Sequence, residues 1–181
     1  RIESGKLELC YGTLDLTQLL ASLESLFHAQ ALEKGLTMCL KDGRSRNRLL
    51  RADSLRLNQV LVNMIGNAVK FTDHGGITVR VEELEANPRA VLRFSVADTG
   101  IGIEPSSLPN IFNPFEQAEA STASRRGGTG LGLSISYRLV QMMGGVLEVT
   151  SQVGRGSEFF FTVAFDYAAD AAADAVETKG P

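Results

Sequence analysis

Residues 54–72 read SLRLNQVLVNMIGNAVKFT, and the rest of the chain is best interpreted outward from this stretch. Its apolar residues recur three and four positions apart, which is the spacing of one buried helix face. We therefore predict a helix from Ser54 to about Phe71. Six side chains form the face that packs on a core: Leu57, Val60, Leu61, Met64, Ile65 and Ala68.

The same helix carries an unusual polar face. Asn63, Asn67 and Lys70 are spaced i, i+4 and i+7, so two amides and an ammonium lie together, and Arg56 and Gln59 extend the stripe. A solvated surface is the ordinary interpretation, but asparagine is a middling helix former and nothing local favours two of them in mid-helix. An amide oxygen suits Mg²⁺ and a lysine offers a point charge for phosphate, so a functional role stands beside the structural one.

The flanking sequence indicates an α+β fold. A first helix is predicted from Thr17, as its N-cap, to about Lys34, with Gly35 as its stop. Alternation of apolar and polar residues from Ile77 to Glu82 indicates a half-buried strand. The other predicted elements are strands at 36–40, 48–52, 91–98, 146–150 and 157–165 and a third helix at 131–143. Three helices and at least five hairpin-connected strands place a helical layer on a sheet.

Composition excludes several classes of protein. The chain has 181 residues, 44% of them apolar, and a formal net charge of −3, which argues against a non-specific grip on nucleic acid. No apolar run approaches the roughly 18 residues of a membrane span. Cys10 and Cys39 are solitary, so a disulfide framework or a zinc site is not expected. Ten of the 18 glycines fall between Gly100 and Gly156, and this clustering suggests a local use.

Asp98 ends the strand at 91–98 and is followed by a tight turn, Thr99-Gly100-Ile101-Gly102. By period-two alternation it shares a face with Leu92, Phe94 and Val96. If that face is the buried one, the carboxylate reaches the edge of the core and needs a hydrogen-bond partner. The plainer interpretation is that Asp98 merely opens a turn, as aspartate commonly does.

A second glycine cluster, Gly127-Gly128-Thr129-Gly130-Leu131-Gly132, leads directly into the third predicted helix. Glycines let backbone N–H groups approach an anion, and the helix N-terminus adds positive potential. A Walker A loop is excluded because no lysine lies between Lys70 and Lys179, and a Rossmann fingerprint fails because the run follows a loop. A flexible hinge would explain the glycines but not the immediate start of a helix.

Other candidate side chains give weaker evidence of a catalytic or binding role. Phe112 and Phe115 bracket Asn113-Pro114, where aromatic side chains usually just pack. The two histidines, His28 and His74, have no carboxylates at metal or triad spacing. Hydrolase and metalloenzyme interpretations are therefore unsupported.

In order along the chain, these motifs resemble the boxes of sensor histidine kinases. The stretch from Asn63 to Thr72 resembles their N box, Asp98 to Gly102 their G1 box, Phe112-Asn-Pro-Phe115 their F box, and Gly128 to Leu133 their G2 box. Gly154-Arg-Gly156-Ser157-x-Phe159 matches the closing hairpin of the family. The resemblance implies a catalytic ATP-binding domain with an α+β, two-layer α/β sandwich, a mixed sheet and three main helices. This Bergerat-type (GHKL) fold is shared with DNA gyrase and MutL-type ATPases.

The resemblance also implies roles on the N box and the strand end. Asn67 would ligate the Mg²⁺ that bridges the phosphates, with Asn63 supporting it. Lys70 would contact phosphate, and Phe71 would pack beside the nucleoside. Asp98 would accept a hydrogen bond from the adenine 6-amino group.

The glycine boxes would line the rest of the ATP site. Gly100 and Gly102 would let the backbone pass close to the base. A mobile lid at about 113–130 would be anchored by Phe112 and Phe115. The phosphates would meet backbone groups of five residues: Gly128, Thr129, Gly130, Leu131 and Gly132.

One departure from the family concerns the phosphoacceptor, which is a histidine followed by an acidic residue and then a proline. Neither His28 nor His74 fits. Residues 1–12 resemble the end of the dimerisation helix and a linker, 13–166 would be the catalytic domain, and 167–181 an Ala/Asp-rich disordered linker. The implied partners are ATP or ADP, a dimerisation and histidine-phosphotransfer domain, and a response-regulator receiver domain. The parent would be homodimeric and this domain cytoplasmic, with membrane anchoring left open and no nucleic acid bound.

Two alternatives remain beside the kinase. Hydrolases of the gyrase type use a glutamate base on the corresponding helix, where this chain has Asn63, which cannot accept that proton. A non-catalytic nucleotide-sensing module would keep the same boxes without transferring phosphate.

Overall fold

The computed structural model describes residues 2–3, 6–113 and 131–168. Three α-helices are present in these ranges: α1 (Leu16–Glu33), α2 (Ser54–Phe71) and α3 (Leu131–Met142), with a short 3₁₀ helix at Leu108–Asn110. The strands are β1 (Ile2–Glu3), β2 (Lys6–Leu7), β3 (Gly12–Leu14), β4 (Thr37–Asp42), β5 (Leu50–Ala52), β6 (Gly76–Glu85), β7 (Ala90–Asp98), β8 (Glu148–Gln152) and β9 (Gly156–Tyr167). Helix α2 has the predicted limits.

Seven strands form one mixed sheet. The order is β3-β5-β9-β7-β6-β4, and β8 pairs with the first part of β9. The β4–β6 pair is parallel and the others are antiparallel. In the centre, Asp98 at the end of β7 lies between Ile77 of β6 and Ser157 of β9. The predicted hairpin of β6 and β7 is confirmed.

The helices cover one face of this sheet, as the alternation predicted. Phe94 of β7 stacks on Phe161 of β9, with ring centroids 5.0 Å apart. The six apolar side chains predicted for α2 are all buried in the same core. On the opposite face, Arg93 lies 3.6 Å from Glu82 and 3.9 Å from Glu158, so that side of the sheet is polar. The result is the expected two-layer sandwich.

The limits of α1 differ from the prediction at its start. Asp15, not Thr17, is the N-cap, and its carboxylate accepts a hydrogen bond from the Gln18 N–H at 3.2 Å. The cap lies earlier because Leu16 is fully buried and belongs to the helix. Thr17 instead accepts a hydrogen bond from Arg44. Gly35, with φ of +71°, ends the helix as predicted.

The two ends of the domain also differ from the expected limits. Residues 2–3 and 6–7 pair as the antiparallel strands β1 and β2, where a helix end was expected. The sheet begins at Gly12 and continues to Tyr167, one residue beyond the expected linker boundary, because Tyr167 pairs with Leu50. Residues 169–181 lie outside the described ranges. Over the part of the chain that is described, no helix has the length and apolar character needed to cross a membrane.

Candidate functional site

The described residues of the predicted site lie around the C-terminal half of α2. The C-terminal half of α2, the end of β7, the turn after it, the start of β9 and the first turn of α3 meet there. Lys34, the C-cap of α1, holds the end of α2, because its Nζ donates to the carbonyl oxygens of Val69 at 2.6 Å and Lys70 at 3.3 Å. A cation at a helix C-terminus is a favourable placement.

Asn63 joins two helices. Its Nδ2 donates to Ser136 Oγ at 3.1 Å and to the Gly132 carbonyl at 3.4 Å, both on α3. Its amide N–H groups therefore position the first turn of α3, a structural use that helix spacing alone could not reveal. A Cβ built on Gly132 would lie 3.7 Å from Asn63 Cγ, so the two residues are in contact.

Asn67 lies one helical turn further along α2 and is half-buried. Among the described residues, none forms a hydrogen bond with its side-chain amide. The Asn67 amide therefore differs from the Asn63 amide, which donates hydrogen bonds to α3. Lys70 follows on the same face, with its Nζ 6.0 Å from the centroid of the Phe71 ring.

Asp98 is half-buried at the end of β7, on the same strand face as the buried Leu92, Phe94 and Val96. Its Oδ1 accepts hydrogen bonds from the Gly100 N–H at 2.8 Å and the Ser157 N–H at 3.2 Å. Within the described part of the chain, no donor is bound to its Oδ2. Burial raises the pKa of this carboxyl above its ordinary value, and the two backbone hydrogen bonds offset only part of that effect. The carboxylate therefore has an acceptor oxygen to offer to a ligand.

The turn after Asp98 is fixed from both sides. The Ile101 N–H donates to the Phe71 carbonyl at the end of α2, and the Ile101 carbonyl accepts from the Gly154 N–H at 2.9 Å. Gly102 has a φ of +76°, and a Cβ there would lie 2.3 Å from the Gln152 carbonyl oxygen. The close packing against the β8–β9 turn thus requires Gly102 even without a ligand.

Two residues of the site, Thr99 and Ser157, were not assigned a role from the sequence. Thr99 donates to the His74 carbonyl at 2.9 Å and accepts from the Gly76 N–H at 3.0 Å, which ties the turn to the start of β6. Ser157 contacts Asp98, and its Oγ lies 2.8 Å from Ser151 Oγ. The Gly-x-Gly-Ser pattern of the closing hairpin was a signal for Ser157. Thr99 had no comparable signal.

The structure describes only part of the Phe112-Asn-Pro-Phe115 motif. Phe112 stacks on Tyr137 of α3 at 4.9 Å and meets Phe159 edge-on at 6.2 Å, so its ring packs against the core. Phe115, Gly128, Thr129 and Gly130 lie outside the described residues, as does the predicted lid beyond Asn113. Leu131 begins α3.

The described residues fit only the kind of magnesium site in which the protein supplies one or two oxygen ligands. They contain no group of three or more His, Cys, Asp and Glu side chains able to hold a metal ion by themselves. Mg²⁺ commonly takes one or two protein oxygens and completes its shell with phosphates and water. The uncommitted amide of Asn67 provides such an oxygen.

A cavity of about 400 Å³ lies at the other ends of the strands. Its lining includes Arg44, Arg46, Arg48 and Tyr167, and the guanidinium of Arg48 lies 3.7 Å from the centroid of the Tyr167 ring. None of the described residues of the predicted site lines it. The cavity is therefore separate from the α2–β7–β9 junction, which remains the candidate site.

Comparison with known proteins identifies the family of this chain. The model of the family described as histidine kinase-, DNA gyrase B-, and HSP90-like ATPase matches residues 52–167. The autoinducer 2 sensor kinase/phosphatase LuxQ of Vibrio cholerae is 39% identical over 159 residues, which cover 88% of this chain and 19% of LuxQ. The signal transduction histidine-protein kinase BarA of Escherichia coli is 38% identical over 167 residues, covering 92% of this chain and 18% of BarA. The chain thus spans about a fifth of these two relatives.

Solved structures share the fold. Full-length ShkA in complex with AMPPNP has a TM-score of 0.77 and 37% identity, covering 91% of this chain and 33% of that one. The nucleotide-free catalytic domain of the histidine kinase ThkA has a TM-score of 0.71 and 25% identity, covering 86% of this chain and 95% of that domain.

Proposed function

Because this chain belongs to the family of histidine kinase-, DNA gyrase B- and HSP90-like ATPases, we propose that it binds Mg-ATP and takes part in phosphoryl transfer to a histidine. Its form is that of the ATP-binding catalytic domain of sensor histidine kinases. The observation that carries this proposal is the hydrogen bonding of the Asp98 carboxylate. Its half-buried carboxylate has one oxygen committed to backbone N–H groups and a second oxygen for a ligand donor. The 6-amino group of adenine is such a donor, and guanine has a carbonyl there.

Phosphate and metal would be held by the polar face of α2. Asn67 would supply an oxygen to Mg²⁺, Asn63 would support that position from the α2–α3 contact, and Lys70 would contact phosphate. When bound, Mg²⁺ neutralises phosphate charge. Phe71 would pack beside the nucleoside. The support is the uncommitted amide of Asn67 beside the committed amide of Asn63.

Glycine-rich segments would close the site. Gly100 and Gly102 would shape the adenine side, and the phosphate side would receive backbone N–H groups of Gly128, Thr129, Gly130, Leu131 and Gly132. Residues 113–130 would act as a lid anchored by Phe112 and Phe115. The support is the packing of Phe112 on Tyr137 and Phe159.

In the parent protein, the γ-phosphoryl group would pass to an imidazole nitrogen on a dimerisation domain. The new P–N bond would form as the bond to the bridging oxygen breaks, leaving ADP. Phosphoryl transfer depends mainly on positioning and charge neutralisation, so the catalytic domain needs no nucleophile of its own. A receiver-domain aspartate would take the phosphoryl group next.

The domain boundaries and surroundings belong to the same proposal. The residues before Gly12 would join the domain to the dimerisation helix, the catalytic body would extend from Gly12 to Tyr167, and the residues after Tyr167 would lead toward a receiver domain. The parent would be a homodimer through the helices of its dimerisation domain, and this domain would face the cytoplasm.

Thermal unfolding with nucleotides tests ATP binding directly. ATP or ADP at 100 times its Kd adds about 2.7 kcal/mol of stability, and Mg²⁺ enlarges the effect. GTP is the matched control, because it presents an acceptor where adenine presents a donor. Equal stabilisation by GTP and ATP contradicts the role of Asp98.

A second test separates kinase from the two alternatives. Adding the dimerisation domain of a histidine kinase in trans should give phosphohistidine, which a nucleotide-sensing module would not produce. Steady-state hydrolysis by the chain alone should be slow, because Asn63 is an amide with its N–H groups bound to α3. Rapid turnover would favour the gyrase-type hydrolase.

A further inference from the structure

Thr72, the residue that ends α2, has a buried hydroxyl with no hydrogen-bond partner in the described part of the chain. The residue is 0% exposed. Buried polar atoms of Arg44 and Arg56 are unbonded as well, but other nitrogens of those guanidinium groups form hydrogen bonds. The Thr72 side chain has one polar atom, and that atom is unbonded. An unsatisfied buried hydroxyl costs free energy and calls for an explanation.

The position of this hydroxyl points to the adenine end of the site. A Cβ built on Gly100 would lie 3.0 Å from Thr72 Oγ1, 2.9 Å from Asp98 Oδ1 and 2.4 Å from the Phe71 carbonyl oxygen. Three oxygens therefore crowd one side of Gly100, and the hydroxyl lies within about 6 Å of the Asp98 carboxylate. The carboxylate accepts hydrogen bonds from two backbone N–H groups, so Thr72 holds a nearby donor that is still unused.

We propose that Thr72 is a positioning residue for Asp98, whose hydroxyl donates to the Asp98 carboxylate when a nucleotide occupies the site and so strengthens selection of adenine. This inference rests on the proposed function of the site. Binding of the base excludes water from the carboxylate, and a hydrogen bond to an ionised oxygen gains strength in drier surroundings. The hydroxyl would add a donor to the two backbone N–H groups and so keep the carboxylate ionised and oriented, with Oδ2 accepting from the 6-amino group.

The two possible roles of Thr72 give opposite expectations for Thr72→Val. The substitution replaces the hydroxyl with a methyl group of nearly the same shape. Since the hydroxyl has no hydrogen-bond partner in the described part of the chain, the variant should unfold at the same temperature as the original or at a higher one. ATP affinity should nevertheless fall. A residue that only fills space would leave affinity unchanged.

The closing experiment measures Kd by calorimetry on the full 181-residue chain and its variants. The ligands are ATP, GTP and purine riboside 5′-triphosphate, which lacks the 6-amino group. We expect Thr72→Val to weaken ATP binding about fivefold or more and to leave the purine analogue within about twofold. Thr72→Ser keeps the hydroxyl and should restore ATP affinity. Thr162→Val, on β9 away from the site, is the matched control.

A pH profile adds a readout that packing alone would not move. Loss of a donor to the ionised carboxylate should raise the pH below which ATP binding is lost, and Thr72→Ser should return it. Unchanged ATP affinity in Thr72→Val overturns the inference while leaving the proposed function intact. Equal weakening of ATP and of the purine analogue overturns it too. Failure of the original chain to prefer ATP over GTP overturns the proposed function and this inference together.

Discussion

An aspartate lies near each end of helix α2, the buried Asp53 and the half-buried Asp98 of β7, and the hydrogen bonds of the two differ. At the N-terminal end, Asp53 is 7% exposed, and each of its oxygens has one backbone donor: Arg56 N–H to Oδ1 at 3.0 Å and Cys10 N–H to Oδ2 at 2.7 Å. At the C-terminal end, Asp98 receives both of its donors on Oδ1. The first carboxylate is fully used by the fold, and the second keeps an oxygen for something else.

This difference separates a structural carboxylate from a binding one. Asp53 caps the helix and ties it to the segment before β3, so its hydrogen bonds are part of the stability of the fold. Asp98 is desolvated without full compensation, which is an arrangement that a protein keeps where a ligand supplies the missing partner. Substitutions at the two ends should therefore affect different measurements.

Among these substitutions, Asp98→Asn should have the largest effect, and that effect should be on ATP affinity. The amide oxygen can still accept from the Gly100 and Ser157 N–H groups, but an NH₂ group then faces the adenine amine. We expect ATP affinity to fall about 100-fold, or about 2.7 kcal/mol, with the unfolding temperature preserved. Calorimetric titration and thermal unfolding measure the two. A large loss of stability with unchanged affinity would reverse the roles of the two ends.

Asp53→Ala should have the next largest effect, and that effect should be on the free energy of unfolding. Loss of the cap and of the hydrogen bond to the Cys10 N–H should lower the unfolding free energy by about 2 kcal/mol, measured by urea denaturation. ATP affinity of the folded fraction should stay the same. Asp15→Ala removes the partly exposed cap of α1 and serves as a control, with an expected loss of about 1 kcal/mol.

Two asparagines extend the comparison along α2 itself. Asn67→Ala should weaken ATP binding in the presence of Mg²⁺ by about tenfold, or about 1.4 kcal/mol, and leave stability unchanged. Asn63→Ala should instead lower the unfolding free energy by about 1 kcal/mol, because it breaks the hydrogen bonds to α3. Titrations with and without Mg²⁺ beside urea denaturation measure both. Unfolding of Asn67→Ala would show that this face of α2 is structural.

The pH dependence should show the smallest effect, and its sign is fixed. Because the pKa of Asp98 is raised in the folded protein, the fold holds that proton more tightly than the unfolded chain does. The stability from this group is full below the unfolded pKa and is lost as the pH rises through the folded pKa. Without nucleotide, the unfolding free energy of the original minus that of Asp98→Asn should fall as the pH rises. ATP binding should strengthen over the same range. A difference that grows with pH would contradict the desolvation of Asp98.

Periodicity made much of the fold predictable. Helix α2 and the β6–β7 hairpin were predicted correctly, because each depends on residues close together in sequence. The cap of α1 was wrong, because Asp15 and Thr17 are both good caps and only the burial of Leu16 decides between them. The extension to Tyr167 depends on pairing with Leu50, which no local pattern contains.

The contacts inside the site were not predictable in the same way. Asn63 bonds Ser136 across 73 residues of sequence, and Ser157 bonds Asp98 across 59. Thr72 stood at the end of a quoted motif without a role, because its lack of a partner is visible only once the turn at Gly100 is placed against α2. The ordered motifs located the site, and tertiary packing decides how each side chain is used.

The short strand β5 has a mechanical consequence. Leu50 pairs with Leu14 at the end of β3 on one side and with Tyr167 at the end of β9 on the other, so β5 lies between the first and the last strand of the sheet, which are about 10 Å apart, two strand spacings. A pull on the two flanking segments is then carried by three residues of β5, at the end of β9 opposite Ser157. Tension from neighbouring segments should open β5 first and leave the Asp98 end of the sheet closed.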